Sequence, residues 1–241
     1  METNEFIAAL DRDSAAFVDA CAVAGLTMPV PSCPGWNVAD LLWHLTEVHD
    51  FWGTVVAERL SSWESYQQPP RPADADIADM YRRGRIALLK TLGEADPATP
   101  LWTWSSDKTA GFVIRRMTQE TAVHLWDAAD AAGMTNPIEP TLASDGIDEF
   151  LAHFLSDVAE GAEPVGGSVH LHCGDVPGEW TVRESDDGFV VAREHSKGDC
   201  AIRGSASDIV LALWRRQPLS TCDVVGDGDV AARFIAHTNL D

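Results

Sequence analysis

Basic residues are scarce in this chain: 17 lysines and arginines stand against 38 aspartates and glutamates over 241 residues, a formal net charge of −21. Such a field repels phosphate backbones and anionic head groups, so neither nucleic acid nor a membrane surface is an expected partner. The charge otherwise serves solubility. Paired cysteines are missing too. The five cysteines, at positions 21, 33, 173, 200 and 222, are odd in number, scattered and without a CxxC pair. That pattern argues against a disulfide framework and against a cysteine zinc knuckle. No stretch reaches the ~18 apolar residues of a spanning helix. The opening METNEFIAALDRDSAAF has neither a basic nor an apolar targeting region, so no secretory signal is expected. Internal repeats and low-complexity tracts are absent as well. What remains is a globular composition, 45% hydrophobic and 23% charged, long enough for one large or two ordinary domains. The expectation is a cytoplasmic protein with reduced thiols, a monomer or a homodimer.

The first half reads as helices. Residues 4–25 carry a 3.6-residue apolar period through Phe6, Leu10, Phe17 and Cys21, which stops at Gly25. Asn37, with Asp40 three residues on, approximates a capping box. The stripe Val38, Leu41, Leu42, Leu45, Val48, Trp52 and Val55 then runs to about residue 60. A Pro-rich loop leads to a third helix over roughly 75–93, and a second loop precedes a fourth that includes RRMTQETAVHLWDAADAAG, 115–133. Four such helices predict an antiparallel bundle over 1–138. Beyond the linker NPIEP, residues 139–241 predict a small α+β domain: a helix near 142–158, then SVHLHCG, GEWTVRE and GFVVARE as an antiparallel meander, with DVPG and SDDG as turns. CAIRG can add a strand, and 205–216 and 227–236 read as helices.

The fourth helix carries the anomaly. At about 100° per residue, Val113, Met117, Glu120, His124, Asp127 and Ala128 share one arc. An isolated charge in a core costs several kcal/mol unless it is paired or binds a metal. Glu120 and His124 are i,i+4 neighbours that project together, a spacing suited to two ligands of one ion. The second helix offers a third in either His44 or His49, which lie roughly 140° apart around its axis. They are not expected to grip one ion together, and spacing alone does not choose between them. A core ion pair between Glu120 and His124 would explain the same pattern.

The segment CPGWNVADLLWHLTEVHDFW, followed later by ETAVHLWDA, resembles the mycothiol-dependent maleylpyruvate isomerase family, whose N-terminal domain is a DinB-like metal-binding bundle. GSASDIVLALWRR and VVGDGDVAARF resemble that family's C-terminal α+β domain, which is similar to sterol-carrier proteins. The resemblance implies a divalent metal, usually zinc, held by His44, Glu120 and His124. It also implies mycothiol as the thiol co-substrate and a small-molecule electrophile as the second reactant. Asp127 then stands three residues beyond the second histidine as a candidate catalytic residue. Three protein ligands leave zinc an open position, the mark of a reactive site.

Zinc favours thiolate over thiol, so the implied chemistry is either cis–trans isomerisation by reversible thiolate addition or S-transfer to an electrophile. A hydrolase would use the same open position for water, with Asp127 or His49 as base. A non-catalytic small-molecule binding protein is the third class. A dicarboxylate substrate needs cationic clamps, for which Arg82, Arg83 and Arg203 are candidates, with Arg215 and Arg216 behind them. Cys33 reads as structural. His170 and His172 share one face of a strand, but no third ligand accompanies them in the sequence.

Overall fold

A computed structural model describes residues 1–185 and 188–240 and divides them into two compact units, Met1–Asn136 and Pro137–Asp241. Of the SDDG turn, Asp186 and Asp187 lie outside the described residues.

The first unit is a four-helix bundle: α1 (Thr3–Ala24), α2 (Val38–Glu58), α3 (Asp74–Glu94) and α4 (Ala110–Ala131). The α2 start forms as its sequence predicts. The Asn37 side chain accepts from the Asp40 amide at 3.0 Å, and Asp40 accepts from the Asn37 amide at 3.1 Å. Arg59 ends the helix in the left-handed region at φ 52°. Helix α1 packs on α4, and α2 on α3, with α2 also running beside α4. The apolar stripes meet in a core that includes Phe17, Leu41, Leu45, Ile77 and Tyr81. Helix α4 is buried around most of its circumference, which is why Arg116, Gln119, His124 and Asp127 are interior polar residues.

The second unit is α+β, but its sheet is mixed rather than purely antiparallel. It comprises α5 (Pro140–His153), β1 (Ser168–Cys173), β2 (Glu179–Ser185), β3 (Gly188–Ala192), β4 (Cys200–Gly204), α6 (Ala206–Leu213), β5 (Asp223–Gly226) and α7 (Gly228–His237). Strand order is β3-β2-β1-β4-β5. The meander β1-β2-β3 is antiparallel, but CAIRG enters on the far side of β1 and runs parallel to it. Residues 193–199 must therefore cross back over the sheet, a connection that local turn chemistry does not reveal. Helix α5 is shorter than its apolar pattern predicts. Past His153 the backbone bonds to the C-terminal segment instead, with the Ala159 amide on the His237 carbonyl and the Asn239 amide on the Asp157 carbonyl. Strand β5 arises from DVVG, between the two helices expected over 205–216 and 227–236. No helix among the described residues is long and apolar enough to cross a membrane.

Because the N-cap of α2 precedes His44 by two turns, its loss should be measurable. Asn37→Ala should lower the stability of the bundle transition by about 1 kcal/mol, and Asn37→Asp by little. Denaturant titration followed by tryptophan emission reads both. An unchanged midpoint in the alanine variant would show that the cap contributes nothing.

Candidate metal centre

Helix α2 presents His44 across to α4, and α4 presents Glu120 and His124 one turn apart. One potential ligand atom from each lies within 4.8 Å of the others. Glu120 Oε1 is the meeting point, 3.3 Å from His44 Nε2 and 3.1 Å from His124 Nε2. The two imidazole rings stand edge to face with centroids 4.9 Å apart, and Trp36 packs on His44 at the same distance. The other carboxylate oxygen, Oε2, accepts from the Arg116 guanidinium at 2.9 Å.

Behind His124 sits Asp127, wholly buried. Its Oδ2 is 2.8 Å from His124 Nδ1, while its Oδ1 accepts from the Ser32 hydroxyl at 2.6 Å. The Cys33 thiol approaches the same carboxylate at 3.7 Å. A carboxylate holding one ring nitrogen fixes the tautomer and turns the other nitrogen's lone pair outward. For His124 that second nitrogen faces Glu120 Oε1, an acceptor. Two lone pairs 3.1 Å apart need a positive charge between them, either a proton or a metal ion.

The electrostatics of these side chains show the same demand. Burial alone would lower the pKa of His124, but Glu120 and the Asp127 bond outweigh it and raise it to about 9. Burial would raise Glu120; His124, His44 and Arg116 overcome that and hold its carboxyl well below the usual range. A proton on His124 occupies the place that a divalent cation would take. One carboxylate and two imidazoles match zinc in donor chemistry and leave coordination positions for an exogenous ligand.

His49 does not join this cluster. It is buried on the core side of α2, with Nε2 2.9 Å from Thr121 Oγ1 and its ring stacked on Tyr81. Burial lowers its pKa to about 3, which leaves a neutral imidazole. Arg82 and Arg83 are exposed on α3, Arg82 paired with Asp79 at 3.1 Å; Arg203 is exposed on β4 in the other unit. The arginine that does reach the cluster is Arg116, which the sequence reading passed over. Its signal was the same four-residue step that links Glu120 to His124. Ser32 was missed as well, because it bonds to a residue 95 positions away.

A cavity of about 410 Å³ opens beside His44. Phe51, Trp52, Trp63 and Tyr66 give it aromatic walls, and among the described residues that line it Glu47 is the one acidic group, with no lysine or arginine. Burial raises the Glu47 pKa.

Comparison with known proteins agrees with this architecture. Residues 7–129 match the mycothiol maleylpyruvate isomerase N-terminal domain, and residues 141–233 match the MDMPI C-terminal domain. No curated protein sequence matches the chain. Two similar crystal structures are of the mycothiol-dependent maleylpyruvate isomerase. A mutant of that protein aligns with a TM-score of 0.61 at 9% identity over 93% of each chain. A second structure aligns with a TM-score of 0.58 at 10% identity over 88% of each. At that identity the likeness speaks for the fold, while the two domain matches together span most of the sequence. The chain belongs to the mycothiol maleylpyruvate isomerase family.

Proposed function

We propose that this protein is a metal-dependent enzyme that activates mycothiol for attack on a small electrophile, either by S-transfer or by cis–trans isomerisation. The observation that carries the proposal is the convergence of His44, Glu120 and His124, each offering one ligand atom within 4.8 Å of the other two. Family membership, and the mycothiol dependence of the isomerase in the two similar structures, support mycothiol as the thiol. Zinc is the ion that suits two imidazoles and one carboxylate; when bound it would stabilise a thiolate at neutral pH.

In this reading the chain's own residues divide the labour. Asp127, anchored by Ser32, holds His124 in the tautomer that leaves Nε2 as a ligand. Arg116 orients Glu120 and balances part of its charge. In an isomerisation, the thiolate sulfur would bond to one alkene carbon and the π electrons would move onto the conjugated carbonyl. Rotation about the resulting single bond and expulsion of the thiolate would then restore the double bond in the trans form. In a transfer, the carbon–sulfur bond would persist and the electrophile's leaving group or opened ring would take the electrons. The aromatic cavity beside His44 favours an electrophile with an apolar or aromatic body, since Phe51, Trp52, Trp63 and Tyr66 supply most of its walls.

The metal assignment is tested by composition. His44→Ala and, separately, His124→Ala should each remove one divalent ion per chain relative to wild type after reconstitution. His49→Gln should remove none, and Asp127→Asn should weaken that site's affinity about 10- to 100-fold, as loss of an orienting partner does. Elemental analysis showing the same content in His44→Ala as in wild type would sink the site.

The chemistry is tested with cobalt in place of zinc. Mycothiol should produce a sulfur-to-cobalt charge-transfer band and release a proton, and both should vanish in His124→Ala. Cysteine should do this only at much higher concentration, since groups remote from sulfur supply positioning energy. Cobalt-loaded protein that ignores millimolar mycothiol but hydrolyses esters would favour water as the nucleophile.

The metal-free protein should show a distinctive pH dependence. His124 is raised from 6.5 to about 9 on folding, so its stabilising contribution is full below pH 6.5 and disappears as pH rises through about 9. Glu120 acts in the opposite sense, its contribution being present above its ordinary pKa and lost in acid. Denaturation midpoints of the apoprotein should therefore fall between pH 6.5 and 9, and His124→Gln should flatten that slope. An equal slope in the two proteins would refute the coupling.

A further inference from the structure

The second unit holds another cluster of ligand-type side chains, unrelated to the bundle. His170 and His172 alternate on β1, so both point from the same face of the sheet. The β1–β2 register sets Glu179 directly opposite His172. His195 comes from the segment that crosses back over the sheet between β3 and β4, and its ring lies edge to face on His170 with centroids 5.1 Å apart. One potential ligand atom from each of the four residues lies within 4.8 Å of the other three.

The Glu179 carboxylate is again the centre. His172 Nδ1 is 2.7 Å from Oε1; His195 Nδ1 is 2.8 Å and His170 Nε2 3.6 Å from Oε2. Ligand atoms of a tetrahedral ion at 2.0–2.1 Å are spaced by about 3.3 Å. With one ligand atom from each residue within 4.8 Å of the others, a small adjustment of these side chains reaches that spacing. His170 is only 4% exposed, and its Nε2 is buried without a hydrogen-bond partner; the His172 side chain is partly exposed, its Nδ1 buried and facing the Glu179 carboxylate at 2.7 Å. Buried polar atoms left unpaired are uncommon and call for an explanation. Three protonated rings around one carboxylate would repel one another. One cation among three neutral rings satisfies every atom.

We propose that His170, His172, Glu179 and His195 form a second divalent-metal site, selective for imidazole-preferring ions such as zinc. Four protein ligands would leave no open position, so the ion would act structurally, clipping residues 193–199 onto the sheet face. Glu179 and His195 are partly to largely exposed, which gives the ion a route from solvent. This inference is independent of the bundle site.

The test uses tag-free, full-length protein stripped with chelator, reloaded with zinc and analysed by equilibrium dialysis. Two zinc ions per chain are expected. His172→Ala and, separately, His195→Ala should each weaken one zinc at least tenfold and leave the other unchanged; neither residue belongs to the bundle cluster. His195 is exposed, so its substitution should not compromise folding. Zinc should also protect His195 from ethoxyformylation in wild type and in His124→Ala alike. A protein whose zinc is removed entirely by His124→Ala, or whose second zinc is indifferent to both substitutions, overturns the proposal. Loss of zinc only in the His172 and His195 variants, with none in His124→Ala, supports this site and refutes the bundle assignment.

Discussion

The candidate metal centre of the bundle is organised around one partly buried carboxylate. An ionised glutamate between packed helices loses its hydration, at a cost of several kcal/mol unless other groups replace it. Glu120 recovers that loss through Arg116 on one oxygen and two imidazoles on the other. Each replacement constrains its donor. His124 is held in turn by Asp127, and Asp127 by Ser32 in the loop before α2. A single chain of polar contacts thus ties that loop to α4 and ends at His44 on α2. The site is assembled by the same contacts that make its burial tolerable.

The two histidines of α2 show how finely this depends on helical phase. They are five residues apart, which turns them roughly 140° from each other. His44 stays partly exposed at the mouth of the aromatic cavity and meets Glu120. His49 turns into the core, bonds to Thr121 and is kept neutral by burial. One ring is left as a potential ligand, the other as a core residue with a single polar contact. The aromatic residues that follow the same helix, Phe51 and Trp52, then wall the cavity on the side of His44.

In the second unit the corresponding organiser is the crossover. Because β4 pairs parallel to β1, the chain after β3 must return across the sheet before β4 begins. That return carries His195 over His170, His172 and Glu179, which the β1–β2 register has already gathered on one face. The mixed topology and the histidine cluster are two consequences of one connection.

Much of this was determined by the sequence alone. Apolar periods and a capping box defined α1 to α4, because amphipathic helices record their buried face in every turn. The i,i+4 step of Glu120 and His124 was legible for the same reason, as was the alternation that placed His170 and His172 on one strand face. The choice of His44 over His49 followed from family resemblance rather than from spacing. Other features were set only by tertiary structure. Arg116 could be seen to serve Glu120 only once α4 was known to be buried nearly all round. Ser32 reaches Asp127, and His195 reaches Glu179, across separations that no local pattern encodes. The parallel pairing of β4 depends on a crossover whose sequence looks like an ordinary loop. Periodicity reports which face of an element is buried; which residues from distant elements meet there is decided by packing.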